Sequence, residues 1–116
     1  MNIARRPPLG QRTPPCVSTA LRRSAQGQTC TVRSPACNGR MDTTVLAHVR
    51  TFGNAGIAQK PHDFCAVYAC HACHDAMDRR DAATAGLIGF EDLLRAMIET
   101  QARMYAAGLL MVKGSK

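Results

Sequence analysis

The sequence predicts a small α+β domain in which two β-strands, a cysteine knuckle and a short helix are followed by a longer amphipathic helix. Three observations support this prediction. Two pairs of cysteines have metal-ligand spacing, two short segments are rich in β-branched and apolar residues, and one later segment is apolar at helical intervals. A chain of 116 residues with 4% aromatic residues and no tryptophan can build only a modest core, so we expect a metal or disulfide staple.

The cysteine pairs predict a structural zinc site. Cys70 and Cys73 are separated by two residues, which suits a knuckle in which both thiolates reach one Zn²⁺ ion. Cys30 and Cys37 form a second pair in a segment with turn-forming residues. The N-terminal residues show no secretory pattern, so we expect a reducing compartment and zinc binding. A disulfide-linked secreted protein is the alternative.

The predicted elements around the cysteines form a ββα unit. Residues 43–50 and 64–69 predict two strands, the second leading directly into the knuckle. The run from His74 to Arg80 lacks glycine and proline and predicts a short helix. Glycines within residues 53–56 predict a turn between the strands, and Thr31-Val32 predicts a very short additional strand.

The longest predicted helix runs from about residue 90 to residue 107. Its apolar side chains recur at three- and four-residue steps and include Phe90, Leu93, Leu94, Met97, Ile98, Met104 and Tyr105. Gly108 is expected to end the helix. The stripe predicts packing against the core, and a homodimer interface is the alternative.

The net charge of +7 is concentrated near the N-terminus. Residues 1–41 contain seven arginines and no acidic residue. Residues 1–26 also lack hydrophobic periodicity, so we predict a flexible basic arm before a domain spanning residues 27–112. Such an arm suits the phosphate backbone of nucleic acid, and a merely solubilising extension is the alternative. No apolar run approaches the ~20 residues that span a bilayer, so no membrane contact is expected.

Two histidines are placed to do chemistry. His48 lies in the first predicted strand, and His74 directly follows the second knuckle cysteine. If four thiolates bind the zinc, both imidazoles can lie on one face, one as a general base and the other as a ligand of a catalytic cation. The structural alternatives are a buried His48 bonded to the predicted zinc loop of residues 27–41, and His74 as a zinc ligand or helix cap.

Three arginines are predicted to contact phosphate. Arg50 is two residues from His48 and therefore shares its strand face. Arg79 and Arg80 lie at the end of the short predicted helix, where they can bind phosphate or complement the helix dipole. Among the other histidines, His71 is expected to be exposed and His62 to lie in a surface loop.

Together these motifs resemble a known family. Residues 30–39, 45–50 and 69–80 resemble, in order and spacing, the YbcO-like prophage nuclease family, and more broadly the HNH (ββα-metal) endonucleases with a zinc-stabilised, treble-clef-like scaffold. They are also similar to the RecA-dependent HNH nuclease of phages. The resemblance covers about residues 27–110. It implies a phage or prophage DNA endonuclease in the cytoplasm of a bacterial host, with a RecA-type recombinase filament as a candidate partner.

The resemblance also implies roles for individual residues. His48 matches the general base that activates water, and His74 matches a ligand of the catalytic divalent ion, Mg²⁺ or Mn²⁺. The structural zinc set is matched by Cys30, Cys37, Cys70 and Cys73.

The sequence departs from the HNH pattern at two positions. Ala47 stands where most HNH motifs have a metal-binding Asp, so Asp75 or Asp78 is the expected substitute. The Asn that orients the base has no clear counterpart before the knuckle, and Asp63 is the best substitute. These departures support an alternative function, a non-catalytic zinc-binding DNA-binding or adaptor protein on the same scaffold.

Overall fold

The computed structural model describes residues 14–50, 61–79, 83–84 and 86–115. Three helices and two strands occur in these ranges, namely α1 (Thr19–Ser24), β1 (Val45–His48), β2 (Ala66–Ala69), α2 (His71–Met77) and α3 (Phe90–Ala106). A single 3₁₀ turn, Met41–Thr43, precedes β1. The predicted α+β class is therefore confirmed. None of the helices in this part of the chain is long and apolar enough to cross a membrane.

The strands pair in an antiparallel hairpin whose register fixes both faces of the sheet. Ala47 lies opposite Val67, and Leu46 lies opposite Tyr68. Because successive side chains alternate, the first pair faces a core with the cysteines and the second faces a core with α1. The register also places His48 opposite Ala66.

Both strands are shorter than predicted. The 3₁₀ turn occupies residues 41–43, so β1 begins only at Val45. The second strand begins at Ala66 because the preceding residues form a turn, in which the Cys65 amide donates to the His62 carbonyl at 2.9 Å. Thr31 is not in a strand, although its amide donates to the Tyr68 carbonyl at 2.7 Å.

Part of the predicted N-terminal arm is helical. Residues 19–24 form α1, which begins at an N-cap, Ser18, whose Oγ accepts from the Leu21 amide at 3.2 Å. Leu21 and Ala25 are buried against Tyr68 and Met104. The prediction of an arm through residue 26 overlooked this short helix, because two apolar contacts are too few to produce a visible period. Residues 1–13 lie outside the described residues.

The helix after the knuckle begins earlier than predicted, at His71 instead of His74. Cys70 is its N-cap, and the Cys70 Sγ accepts from the Cys73 amide at 3.4 Å. The helix ends at Met77, and Arg79 adopts a left-handed conformation with φ of 55°. Arg80 and the predicted turn at residues 53–56 lie outside the described residues.

The long C-terminal helix is confirmed as α3, but only part of its apolar stripe is covered. Leu93, Ala96, Thr100 and Met104 are buried, and α3 packs mainly against β2. Side chains on the adjacent face are exposed; they are Phe90, Leu94, Ile98 and Tyr105. The prediction of core packing therefore holds for one face, and the homodimer interface stays a prediction for the other.

Candidate metal centre and histidine cleft

The four cysteines predicted to bind metal form one cluster. The Sγ atoms of Cys30, Cys37, Cys70 and Cys73 all lie within 4.8 Å of one another. The Cys37 and Cys70 sulfurs are 3.7 Å apart. In a tetrahedral site with Zn–S bonds of about 2.3 Å, neighbouring sulfurs are about 3.8 Å apart. The cluster therefore has the dimensions of a site that can hold one metal ion.

Local backbone geometry turns hydrogen-bond donors toward these sulfurs. The Arg33 amide donates to the Cys30 Sγ at 3.5 Å, and this turn requires a left-handed φ of 48° at Arg33. The Ser34 hydroxyl lies 3.2 Å from the Cys73 Sγ. Donors of this kind stabilise thiolates, which are the forms that bind a metal ion.

Within the cluster the sulfurs share protons unevenly. The hydrogen bond from Cys73 lowers the pKa of Cys30 to about 4, against the opposing effect of burial. The same hydrogen bond, together with burial, raises the pKa of Cys73. Burial raises the pKa of Cys37. A bound cation would replace these shared protons and favour four thiolates, so metal binding should release protons.

Arginines of α3 donate hydrogen bonds to the loop that contains Cys30 and Cys37, which we call the first cysteine loop. Arg95 donates to the Thr31 and Val32 carbonyls at 2.9 and 2.7 Å, and Arg103 donates to the Thr29 carbonyl at 3.0 Å. These carbonyls lie beside Cys30 in sequence. The helix thus fixes the position of a loop that provides two of the clustered cysteines and has no strand or helix of its own.

Glu99 links these arginines into one network. It accepts from Arg33 at 2.9 Å and from Arg103 at 3.1 Å, and lies 3.7 Å from Arg95. The hydrogen bond from Arg33 is the main reason why the pKa of Glu99 is lowered. The sequence analysis did not identify this role, although the i, i+4 spacing of Arg95, Glu99 and Arg103 is a signal for it.

A second site is formed by a histidine and a buried carboxylate. His48 Nε2 lies 2.8 Å from Asp63 Oδ1. The His48 side chain is 24% exposed and that of Asp63 only 1% exposed. His48 is therefore bonded to this aspartate, and not to the zinc loop as the structural alternative required. The sequence analysis had singled out both residues, and the structure brings them together.

Asp63 is held as an anion. Burial raises the pKa of this carboxyl, but hydrogen bonds from the Ser18 amide, His48 and Arg22 outweigh it and leave the pKa below its ordinary value. Asp63 Oδ2 accepts from the Ser18 amide at 2.7 Å and from the Arg22 Nε at 3.0 Å. An ionised carboxylate only accepts hydrogen bonds, so it favours the His48 tautomer that carries its proton on Nε2.

His48 borders two small pockets that also contain charged side chains. One, of about 120 Å³, is lined by His48, Val49, Arg50, Met77, Asp78 and Leu93. The other, of about 150 Å³, is lined by Val17, Arg22, His48, Arg50 and Pro61. We call the first pocket the histidine cleft. Arg50 lines both pockets with His48, although it lies beyond the end of β1 and not on the strand as expected.

The polar residues of α2 pair along the helix. His74 Nε2 lies 3.3 Å from Asp78 Oδ2, and His71 Nε2 lies 3.2 Å from Asp75 Oδ2. Asp78 lines the histidine cleft, so it connects His74 to the cleft. His71 is 69% exposed, as expected. The structural alternatives for His74 find no support, because four cysteines complete the cluster and Cys70 caps the helix.

The remaining described residues named in the sequence analysis do not line the histidine cleft. Ala47 is a buried residue of β1 whose methyl side chain offers no metal ligand. Arg79 lines a different surface pocket, near Phe90. His62 stacks on Phe64 with ring centroids 4.8 Å apart, and its Nδ1 accepts from the Cys16 amide at 2.8 Å.

The described residues therefore define a small α+β domain with a four-cysteine cluster that has the dimensions of a metal site, and with a histidine cleft. Residues 19–109 match the family described as "Putative nuclease YbcO". The chain belongs to the YbcO family, as the sequence motifs predicted. The match begins at Thr19, so it includes α1.

Named relatives agree with this assignment. The chain is 42% identical over 91 residues to "Putative nuclease YbcO" of Escherichia coli (strain K12), covering 78% of this chain and 95% of the relative. The same figures hold for "Putative nuclease ybcO" of Enterobacteria phage 82. A solved structure of "a putative bacteriophage protein from Escherichia coli str. K-12 substr. MG1655" matches with a TM-score of 0.58 and 40% identity, covering 77% of this chain and all of that one.

Proposed function

We propose that this protein is an HNH-type, metal-dependent DNA endonuclease on a treble-clef-like scaffold. The observation that carries the proposal is the 2.8 Å contact between His48 and Asp63 at a cleft that also contains Arg50 and Asp78. A base, its orienting carboxylate, a cation for phosphate and a carboxylate for a metal ion are thus within one small region. The nuclease named in the relatives' descriptions supports the same class of reaction.

His48 acts as the general base in this mechanism. With the Nε2 proton donated to Asp63, the Nδ1 lone pair can accept a proton from water. The water oxygen forms a bond to phosphorus as the bond to the leaving sugar oxygen breaks, and that oxygen is protonated from solvent. Asp63 keeps the ring oriented and stabilises the imidazolium that forms.

The catalytic divalent ion is assigned to the C-terminal part of α2. His74 and Asp78 offer a nitrogen and an oxygen donor within 3.3 Å of each other, and Asp75 is a further oxygen donor one turn of α2 before Asp78. This donor set suits Mn²⁺ and, with waters completing the shell, Mg²⁺. When bound, the ion supplies positive charge to the phosphate oxygens. Because Ala47 is buried and apolar, α2 has to provide the ligands that β1 does not.

We assign a structural zinc ion to Cys30, Cys37, Cys70 and Cys73. Four thiolates complete a tetrahedral shell and leave no open position for water or substrate, which is typical of structural sites. A bound ion would join the first cysteine loop to the start of α2 and so hold the helix that contains His74 and has Asp78 as its C-cap.

DNA binding is assigned to cations around the cleft and at the N-terminus. Arg50 lines the cleft beside His48, so it is the proposed contact to the scissile phosphate. The proposed contact extends along the DNA phosphate backbone through Arg79, Arg80 and the basic residues within 1–13. Phosphate contacts carry little sequence information, so we expect low sequence specificity. A RecA-type filament remains a partner to be tested.

Cleavage of supercoiled and single-stranded DNA tests the proposal. Wild type, His48→Ala and His71→Ala are assayed with Mg²⁺, Mn²⁺ or EDTA, with and without a RecA filament, and zinc is measured in each preparation. His71 is the matched control because it is an exposed histidine of α2 that does not line the histidine cleft, and its removal leaves the Asp75 carboxylate in place. We expect metal-dependent nicking by wild type and His71→Ala, nicking slower by about 10²–10⁴-fold in His48→Ala, and equal zinc in all three. DNA binding without nicking under every condition would contradict the enzyme and favour an adaptor.

A further inference from the structure

We propose that Arg22 of α1 is a positioning residue that orients Asp63 and, through it, His48. This inference rests on the proposed role of His48 as the base. The Arg22 Nε donates to Asp63 Oδ2 at 3.0 Å, and a second guanidinium nitrogen lies 3.4 Å from Asp63 Oδ1. The planar guanidinium thus spans both oxygens of the carboxylate that bonds His48.

The segment before and within α1 holds the Asp63 loop at several points. The Ser18 amide donates to Asp63 Oδ2 at 2.7 Å, and the Asp63 amide donates to the Cys16 carbonyl at 2.9 Å. The Cys16 amide in turn donates to His62 Nδ1. With the backbone fixed by these bonds, the Arg22 fork sets the rotation of the carboxylate and so the direction in which Oδ1 faces His48.

Arg22 is not part of the apolar packing of α1. The buried residues of this region are Leu21 and Ala25, whereas the Arg22 side chain is 50% exposed. It lines the pocket of about 150 Å³ together with His48 and Arg50. A substitution at Arg22 can therefore change the carboxylate without removing an apolar contact from the core.

Arg22 also compensates a charge. The positive charge of Arg22 offsets that of Asp63, so His48 contacts a pair with no net charge. The other charged side chains that line pockets with His48 are Arg50 and Asp78. In this respect the Arg22–Asp63 pair resembles a neutral hydrogen-bonding residue.

Steady-state nicking kinetics of Arg22→Gln, Arg22→Lys and Arg23→Gln test the inference. Arg23 is the matched control, since it is the next residue of α1, is exposed and carries the same charge. We expect kcat to fall by about tenfold or more in Arg22→Gln with KM nearly unchanged, because orientation is lost and substrate contact is not. Arg22→Lys should recover part of kcat, and Arg23→Gln should match wild type. A rise in KM with unchanged kcat would overturn the inference and make Arg22 a substrate contact.

Side-chain ¹⁵N NMR of His48 gives a readout that needs no activity. In Arg22→Gln the His48 ring nitrogens should shift from their wild-type positions, with a smaller shift in Arg22→Lys and none in Arg23→Gln. Unchanged His48 signals in both Arg22 variants would overturn the inference, whether or not the protein cleaves DNA. If wild type does not cleave but the signals shift, the proposed function fails and the positioning role stands. If Arg22→Gln does not fold, the nicking kinetics and the His48 ¹⁵N signals of Arg22→Lys test the inference instead.

Discussion

The Nε2 atom of His48 and the Oδ1 atom of Asp63 lie 2.8 Å apart, although the two residues come from different parts of the hairpin. His48 is the last residue of β1, and Asp63 lies in the turn before β2. The strand register, with His48 opposite Ala66, brings that turn beside the histidine. A shift of one residue would move His48 to the other face of the sheet, so this pair depends on the register.

Loss of one cysteine of the cluster should remove the metal and unfold the domain. Structural zinc binding contributes about 10–16 kcal/mol in small zinc domains, which is comparable to the whole free energy of unfolding of a small domain. We expect Cys70→Ser to purify with little zinc and to lose most of its helical circular dichroism. Cys16→Ser is the control, because Cys16 lies outside the cluster, and it should keep about one zinc per chain. A folded, zinc-free Cys70→Ser protein would contradict the assignment.

The stabilisation by Asp63 should depend on pH in a defined direction. Its pKa is lowered below 3.8 in the folded chain, so its contribution is complete above the unfolded value and is lost as pH falls through the folded value. We expect Asp63→Asn to lower the free energy of unfolding by about 1–3 kcal/mol, and this difference should not shrink between pH 7 and pH 5. Urea unfolding measures this difference, which should shrink only below about pH 4. Shrinkage between pH 7 and pH 5 would contradict the lowered pKa.

Removing Arg95 should loosen the first cysteine loop. Its guanidinium donates to the Thr31 and Val32 carbonyls, and charged hydrogen bonds contribute about 1.5–3 kcal/mol when well formed. Because Arg95 is partly exposed, we expect Arg95→Ala to destabilise the fold by about 1–2 kcal/mol and to speed zinc release to a chelator. Arg40→Ala serves as the comparison, since the Arg40 guanidinium forms an ion pair with Asp42, in which both side chains are exposed. Equal zinc release from both variants would argue against an anchoring role.

Arg50 should contribute to DNA binding through phosphate. Neutralising one phosphate contact changes the slope of log K against log salt by about 0.9. We expect Arg50→Gln to weaken binding to all sequences alike and to reduce that slope by about one contact, as measured by fluorescence anisotropy. Arg40→Gln also removes one positive charge, but Arg40 does not line the histidine cleft. This variant should therefore leave the slope nearly unchanged. If both variants reduce the slope equally, the contact at Arg50 is not specific.

The four cysteines and the order of the elements could be predicted from short-range sequence signals. Cysteine spacing is local chemistry, and the spacing of Cys70 and Cys73 fixes the start of α2 within three residues. The α3 stripe likewise predicted a helix with nearly the observed bounds. The start of α2 and the bounds of α3 depend on neighbours within one or two turns, which a single sequence displays directly. The contact between the two cysteine pairs does not, because Cys37 and Cys70 are 33 positions apart.

Long-range polar contacts could not be predicted in the same way. Thr100 is a polar residue on the buried face of α3, and its Oγ1 accepts from the Tyr68 amide at 3.1 Å and lies 3.0 Å from the Thr31 Oγ1. Arg22 bonds Asp63 across 41 positions of sequence. Such pairs arise only when the sheet and helices have assembled, and neither residue carries a local pattern that indicates its partner.

The most direct test of the account is a double-mutant cycle on His48 and Asp63, with the rate of metal-dependent nicking as the readout. His48→Ala, Asp63→Asn and the double variant are compared with wild type at one pH and one Mg²⁺ or Mn²⁺ concentration. If Asp63 acts through His48, the double variant should be no slower than His48→Ala alone. Losses that multiply would show that Asp63 acts independently of His48, and full activity in His48→Ala would contradict the proposed base.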